Sequence, residues 1–121
     1  MIRRIECVCI PTTDIAASEA FYLSLGLVRG WIIEREPPDG AIWTLVGLKF
    51  PDASSSELVL SDNRDVRFTE IELLVDDVRD SFATISANPA VKWIREPFAT
   101  ESGHVAVMEA PDGNVFVLVG A

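Results

Sequence analysis

Two stretches of this chain run through the same order of local patterns. Residues 5–37 read IECVCIPTTDIAASEAFYLSLGLVRGWIIEREP, and residues 69–97 read TEIELLVDDVRDSFATISANPAVKWIREP. Each has an apolar strand pattern, an Asp, a short amphipathic helix pattern and a strand that closes on Arg-Glu-Pro. Asp14 and Asp77 are 63 residues apart and Pro37 and Pro97 are 60 apart, a difference that one shortened loop explains. Self-similarity at this period predicts two copies of one small module.

The first copy predicts a β-α-β-β-β order. A strand runs to Pro11, and Asp14 stands at the N-cap of a helix that Gly26 stops. The turn Pro37-Pro38-Asp39-Gly40 predicts a hairpin between the next two strands. The three strands after the helix are expected at 28–34, 41–48 and 57–60.

The second copy predicts the same order. Its first strand covers 70–75, and Asp76 or Asp77 begins a helix that ends at Asn88-Pro89. Val78, Phe82 and Ile85 form the apolar stripe of this helix. Strands are expected at 91–95, 105–109 and 115–119, so the modules span about 1–61 and 66–121.

Composition sets the broad class of protein. The chain has 121 residues, 49% of them hydrophobic, which suits a single domain spanning 1–121. Cys7 and Cys9 are two apart in a strand pattern, a spacing awkward for a disulfide, and they are interpreted as reduced thiols. Neither a signal peptide nor a membrane span is found in the sequence, so we expect a cytoplasmic protein.

The charge balance narrows the choice of partners. Nineteen acidic residues against ten Lys and Arg give a net charge of −9 and a pI near 4.4. Such a chain repels phosphate backbones, so nucleic-acid binding is disfavoured. The charge is compatible with a cationic ligand, although solubility alone also explains it.

The duplicated pattern carries two further motifs. Asp14-Ile15-Ala16-Ala17-Ser18-Glu19-Ala20-Phe21-Tyr22 with Leu25-Gly26-Leu27 marks the first helix, and Ala110-Pro111-Asp112-Gly113-Asn114 joins the last two strands. With these motifs the chain resembles the vicinal oxygen chelate superfamily, the group of glyoxalase I, bleomycin resistance proteins and extradiol dioxygenases. The resemblance implies an α+β fold in which two tandem βαβββ modules form a curved mixed sheet around a cleft, with the helices outside.

The resemblance also implies four cleft positions that hold a metal in metal-dependent members. Here they read Cys7, Glu57, Glu70 and Val117. Val117 offers no donor atom, and a soft Cys thiolate pairs poorly with two carboxylates in a magnesium or iron site. We therefore expect no cofactor, and divalent-metal binding through Cys7, Glu57 and Glu70 is the disfavoured alternative.

Other candidate ligand-binding residues come from side-chain chemistry. Glu70 and Glu72 share one face of a strand and could bind a cation or transfer protons, or simply face water. His104 is the only histidine, and a strand-end role competes with a catalytic one. Cys9 is expected to be a small buried hydrophobe or a ligand contact. The sequence leaves two roles open for the three tryptophans, which either stack on a planar ligand or fill the sheets: Trp31, Trp43 and Trp93.

Two functions follow. The first is a metal-independent binder of the bleomycin resistance type, which sequesters an aromatic or cationic, antibiotic-like compound. The second is a glyoxalase- or dioxygenase-like enzyme, a lyase, isomerase or oxygenase, with an atypical metal site or with Glu70 as general base. Both predict a homodimer, since paired modules leave sheet edges that a symmetric partner would cover.

Overall fold

The computed structural model of the chain describes residues 1–38 and 40–121. The β-α-β-β-β order occurs twice, as the repeat predicts, and the fold is α+β. Asp39 of the predicted hairpin turn lies outside the described residues. The elements are β1 (Ile2–Pro11), α1 (Ile15–Ser24), β2 (Val28–Arg35), β3 (Trp43–Lys49), β4 (Glu57–Ser61), β5 (Glu70–Val75), α2 (Val78–Ile85), β6 (Lys92–Thr100), β7 (Gly103–Glu109) and β8 (Val115–Gly120).

The chain groups into two compact units. Cys7–Thr69 form one unit, called here the N-terminal module. Glu70–Ala121 together with Met1–Glu6 form the other, the C-terminal module. Strand β1 therefore contributes its first half to one unit and its second half to the other.

In the N-terminal module, one helix covers one face of a mixed sheet. The strand order is β2-β3-β4-β1, with β1 parallel to β4 and the other neighbours antiparallel. Asp14 caps α1 by accepting a hydrogen bond of 3.0 Å from the Ala17 N–H. Tyr22 and Ile15 of α1 pack on the buried cluster of Leu27, Val46, Leu48 and Leu60.

The C-terminal module repeats this arrangement. Its strand order is β5-β8-β7-β6, with β5 parallel to β8. Asp77 caps α2 by accepting from the Asp80 N–H at 2.9 Å. The buried cluster beside this helix contains Val75, Val78, Ala106, Met108 and Leu118. No helix in the described ranges is both long and apolar enough to cross a membrane.

Two local predictions are wrong. The first helix pattern is not amphipathic, because α1 has no buried residue and leaves Phe21 58% exposed. The second strand ending on Arg-Glu-Pro does not end there, since β6 runs through Pro97 to Thr100. Among the described residues β6 pairs with β7 alone, and the register shift between Arg95 and Phe98 accommodates the proline.

Removal of the α2 cap tests the local origin of the second helix. Asp77→Ala should lower the free energy of unfolding by about 1 kcal/mol, since a helix N–H loses its acceptor. The neighbouring Asp76→Ala makes the same charge change but removes only an exposed ion pair with Arg3, so it should lower the stability less than Asp77→Ala does. Urea unfolding measures both, and equal losses would contradict the capping role of Asp77.

Candidate functional site

The sheet face of the N-terminal module that α1 does not cover carries most of the candidates in that module. On β1, Cys7 and Cys9 alternate with residues that point toward the helix, and both cysteines are buried. They form a cluster with Val59, against which Trp31 and Leu45 pack. Cys7 lies in register with Glu57. The sequence therefore places two thiols, an indole and a carboxylate on one surface.

Trp31 is held from two sides. Gly47 is its partner in the β2–β3 ladder, and a Cβ atom at Gly47 would overlap the Trp31 ring. The Trp31 Nε1–H donates to Glu57 Oε1 at 3.1 Å. Lys49 Nζ lies 3.7 Å from Glu57 Oε2. The Trp31 ring is therefore held in place. Glu57 has two polar neighbours, the Trp31 indole N–H and the Lys49 ammonium group.

Two residues of this surface were missed by sequence reasoning. Gly47 lies in the middle of a strand, where glycine marks a close approach of another group, and this was a readable signal. Lys49 gives no such signal, because only the ladder pairing brings it to Glu57.

Trp43 lies at the start of β3, with the guanidinium of Arg35 5.1 Å from its ring centroid. That distance fits a cation–π contact, which occupies part of the Trp43 ring.

In the C-terminal module, Glu70 and Glu72 lie on the face of β5 opposite α2. Leu73 and Val75 point to the helix side, where they pack with the buried cluster. Glu72 is in register with Val117 of β8, which is also buried. Val117, Glu70 and Glu72 thus share one surface, because side chains two residues apart in a strand point to the same face.

Burial raises the pKa of Glu70 above its ordinary value, and the negative charge of Glu72 adds to the rise. Within residues 1–38 and 40–121, Glu70 has neither a hydrogen-bond donor nor an ion-pair partner. Its ionised form is therefore poorly compensated. A carboxyl group in this state can accept a cationic ligand or take up a proton at a higher pH than an exposed glutamate.

Trp93 and His104 lie on the other face, the one that α2 covers. The Trp93 ring centroid is 4.7 Å from that of Phe82 in α2, and its Nε1–H donates to Ser86 Oγ at 2.9 Å. His104 shares the strand parity of Ala106 and Met108 in the buried cluster. Its Nδ1 is buried and has no hydrogen-bond partner in the described part of the chain. The structure does not bring either residue to the surface of Glu70 and Glu72.

Metal-binding side chains are not clustered in the described part of the chain. In the described ranges, no three His, Cys, Asp or Glu side chains are grouped so that they could hold a metal. Glu57 is already engaged by Trp31 and Lys49, and the residue in register with Glu72 is Val117. A catalytic ion of the type held by metal-dependent members of the resembled superfamily needs several oxygen or nitrogen donors that converge on one point.

Comparisons with known proteins find similarity in structure and not in sequence. No protein-family model matches the chain, and no curated protein matches it in sequence. Methylmalonyl-CoA epimerase from Mycobacterium tuberculosis superposes with a TM-score of 0.74 at 16% identity, covering 98% of this chain and 88% of that one. A variant of the Streptomyces coelicolor epimerase in complex with 2-nitronate-propionyl-CoA gives 0.73 at 18%, covering 100% and 96%.

A third structure carries the superfamily name. A glyoxalase/bleomycin resistance protein/dioxygenase superfamily member from Vibrio splendidus superposes with a TM-score of 0.64 at 16% identity, covering 100% of both chains. This chain has the vicinal oxygen chelate fold. At identities of 16–18%, the similarity to these neighbours establishes a shared fold and nothing about function. The fold hosts several chemistries, so function has to be argued from the side chains.

Gly47→Ala tests the support of Trp31. The new methyl group has to displace the indole, so we expect a loss of about 1–3 kcal/mol of stability and a changed near-ultraviolet spectrum of tryptophan. Gly30→Ala is the matched control, because its Cβ meets the flexible Lys49 side chain at 2.7 Å from Cε. If both variants keep the wild-type spectrum, Gly47 does not position Trp31.

The raised pKa of Glu70 predicts a pH-dependent stability. The folded protein holds the Glu70 proton more tightly than the unfolded chain, so the stability contributed by this group is complete below its ordinary pKa. That contribution is lost as the pH rises through the higher folded pKa. Glu70→Gln should therefore match the wild-type melting temperature at low pH and exceed it at neutral pH.

Thermal unfolding from pH 4 to pH 8 measures this difference. Glu34→Gln removes the same charge from an exposed position of β2 and serves as control. A constant difference between Glu70→Gln and the wild type over the whole range would contradict the assignment.

Proposed function

We propose that the protein binds a small molecule with a cationic group, without a metal, through Glu70 and Glu72. The observation that carries the proposal is the partly buried, uncompensated carboxyl group of Glu70 beside a second carboxylate. A buried charge without a partner is costly, and a cation placed against it removes that cost. The ligand therefore contributes the positive charge that the described part of the chain does not supply to Glu70.

The chain's overall charge supports a cationic or neutral ligand over an anionic one. With a net charge of −9, the protein repels a nucleotide-like ligand such as coenzyme A, which carries several phosphate charges. The Streptomyces coelicolor neighbour was solved with a coenzyme A derivative. This chain and that enzyme therefore share a fold, while their ligands differ in the sign of the charge.

The N-terminal module offers a separate surface for planar compounds, the fixed indole of Trp31. Its ring is held by Gly47 and by the hydrogen bond to Glu57. A rigid aromatic ring with little entropy left to lose is a favourable stacking surface. The ligand class is thus an aromatic compound at Trp31 or a cationic compound at Glu70, of the antibiotic type, and binding sequesters it in the cytoplasm.

A second function is favoured by the raised pKa itself. A carboxyl group whose pKa lies closer to neutral is a better general base than an ordinary glutamate. Structural neighbours named as epimerases make proton abstraction next to a carbonyl the reaction class to test. In this alternative, Glu70 removes a proton from the carbon acid, and burial together with the charge of Glu72 holds the pKa of Glu70 high.

Binding is tested with a panel of planar cations, each paired with a neutral compound of the same shape. Titration calorimetry and tryptophan quenching should show tighter binding of the cations, strengthening as the pH rises through the Glu70 pKa. Glu70→Gln should weaken cation binding about tenfold or more and leave the neutral compounds unchanged. Glu34→Gln is the control. A panel in which cations and neutral compounds bind equally, or not at all, would overturn the proposal.

Two further measurements separate the alternatives. Stoichiometric retention of Mn, Fe, Ni, Zn or Mg that is lost in Glu57→Ala and Glu70→Ala would refute metal-independent binding. Exchange of deuterium from solvent into acyl thioesters, lost in Glu70→Gln, would establish the general-base function. Turnover of hemithioacetals or catechols would point to the glyoxalase or dioxygenase chemistry instead.

A further inference from the structure

The face of the C-terminal module opposite α2 carries a basic residue as well as the two carboxylates. Residues paired across a ladder place their side chains on the same face of a sheet. Glu72 is in register with Val117 of β8, and Val117 is in register with Val107 of β7. Val107 in turn pairs with Arg95 of β6. One row across the four strands therefore has a carboxylate at one end and a guanidinium at the other.

A bulge in β6 turns Arg95 to this face. Trp93 is in register with Met108, which belongs to the buried cluster beside α2. In a regular strand, residues two apart point the same way, so Arg95 would follow Trp93 to the helix side. The register shift between Trp93 and Arg95 inserts one residue and reverses this direction. The bulge thus aims a basic side chain onto the face of Glu70 and Glu72.

An aromatic ring holds the Arg95 side chain in place. The guanidinium carbon lies 3.8 Å from the ring centroid of Phe98 in the same strand. This cation–π contact uses the flat side of the guanidinium and leaves the N–H donors at its edge available. Arg3 and Arg29 each donate two hydrogen bonds to a carboxylate. Within the described residues Arg95 has no such acceptor, so its donors can bind an anionic group of a ligand.

An apolar strip separates the carboxylates from Arg95. It consists of five valines that share this face by register, defined here as the valine surface: Val105, Val107, Val115, Val117 and Val119. Two further charged residues of the face, Glu109 and Lys92, are cross-strand partners of opposite sign. Strands are spaced by about 4.8 Å, so the backbones of β5 and β6 lie about 14 Å apart across β8 and β7.

We propose that this face binds an elongated zwitterion, a small molecule with a cationic group at one end and a carboxylate at the other. The cationic group lies at Glu70 and Glu72, the apolar middle of the ligand lies on the valine surface, and the carboxylate binds Arg95. This binding mode rests on the proposed function, because the cationic end occupies the same site.

Charge complementarity favours a zwitterion over a simple cation. A carboxylate accepts two parallel hydrogen bonds from a guanidinium, and such charge-assisted pairs are among the strong ones. A simple cation leaves the Arg95 donors to water. A simple anion is repelled by the net charge of −9, whereas a zwitterion is neutral as a whole.

The span of the face limits the length of the ligand. Side chains stand roughly perpendicular to a sheet, so the separation of the backbones carries over to the charged groups. Allowing a contact of about 3 Å at each end, the two charges of the ligand lie on the order of 8 Å apart. The ligand class is therefore an extended amino acid whose amine and carboxylate are separated by a short apolar chain.

A series of unbranched amino acids with the amine at the chain end, from aminobutanoate to aminodecanoate, tests this proposal. Each is compared with its methyl ester, which keeps the cation and lacks the anion. Titration calorimetry should show an affinity maximum within the series, where the zwitterion binds about tenfold more tightly than its ester.

Variants assign the two ends of the ligand. Arg95→Gln should remove the advantage of the zwitterion and leave binding of the ester unchanged. Glu70→Gln should weaken both compounds. Arg79→Gln is the matched control, because it removes an exposed arginine from α2 and should change neither affinity. Circular dichroism checks that each variant is folded.

The outcomes separate this proposal from the cation site on which it rests. Equal binding of zwitterions and esters, both weakened by Glu70→Gln, overturns the zwitterion and leaves the cation site standing. An advantage that survives Arg95→Gln, or that does not vary with chain length, also overturns it, as does a series without measurable binding. Binding that Glu70→Gln does not affect refutes the cation site and the zwitterion together.

Discussion

Everything in this structure depends on the covering of one sheet face by one short helix in each module. A strand turns successive side chains to opposite sides, so once a helix covers one side, each strand residue is assigned to the helix-covered or the helix-free face. Leu73 and Val75 must then pack under α2, and Glu70 and Glu72 must lie on the opposite face. In the N-terminal module the same rule places Cys7, Cys9 and Trp31 away from α1.

The two helix-free faces differ in whether their carboxylates have polar or cationic partners. In the N-terminal module, Glu57 is bonded by Trp31 and lies within ion-pair distance of Lys49, so its charge is compensated within the module. In the C-terminal module, Glu70 is partly buried beside Glu72, and both the burial and the neighbouring charge raise its pKa. The same fold thus holds one carboxylate with partners, Glu57, and one without, Glu70. A cation placed beside Glu70 would remove the larger energetic cost, because that charge has no partner within the described residues.

The divergence of the two modules is as informative as their similarity. Both helices start at an Asp that caps the same third residue, so the local rule for helix initiation has been kept. The exposed side chains of the two helices differ, because α2 has Arg79 and Asp80 where α1 has Ala16 and Ala17.

The sequence by itself determined the order of the elements, the cap of the first helix at Asp14 and the placement of Glu70 and Glu72 on one face, while it left Asp76 and Asp77 as alternatives for the second cap. These features depend on neighbours within a few residues, where period and capping chemistry act. Only the tertiary structure decided that Trp93 packs on α2 while Trp31 lies on the helix-free face, that Lys49 reaches Glu57, and that Phe21 is exposed. Those outcomes depend on ladder register, on bulges in β2 and β6 and on which strands a helix covers, and such contacts join residues far apart in the chain.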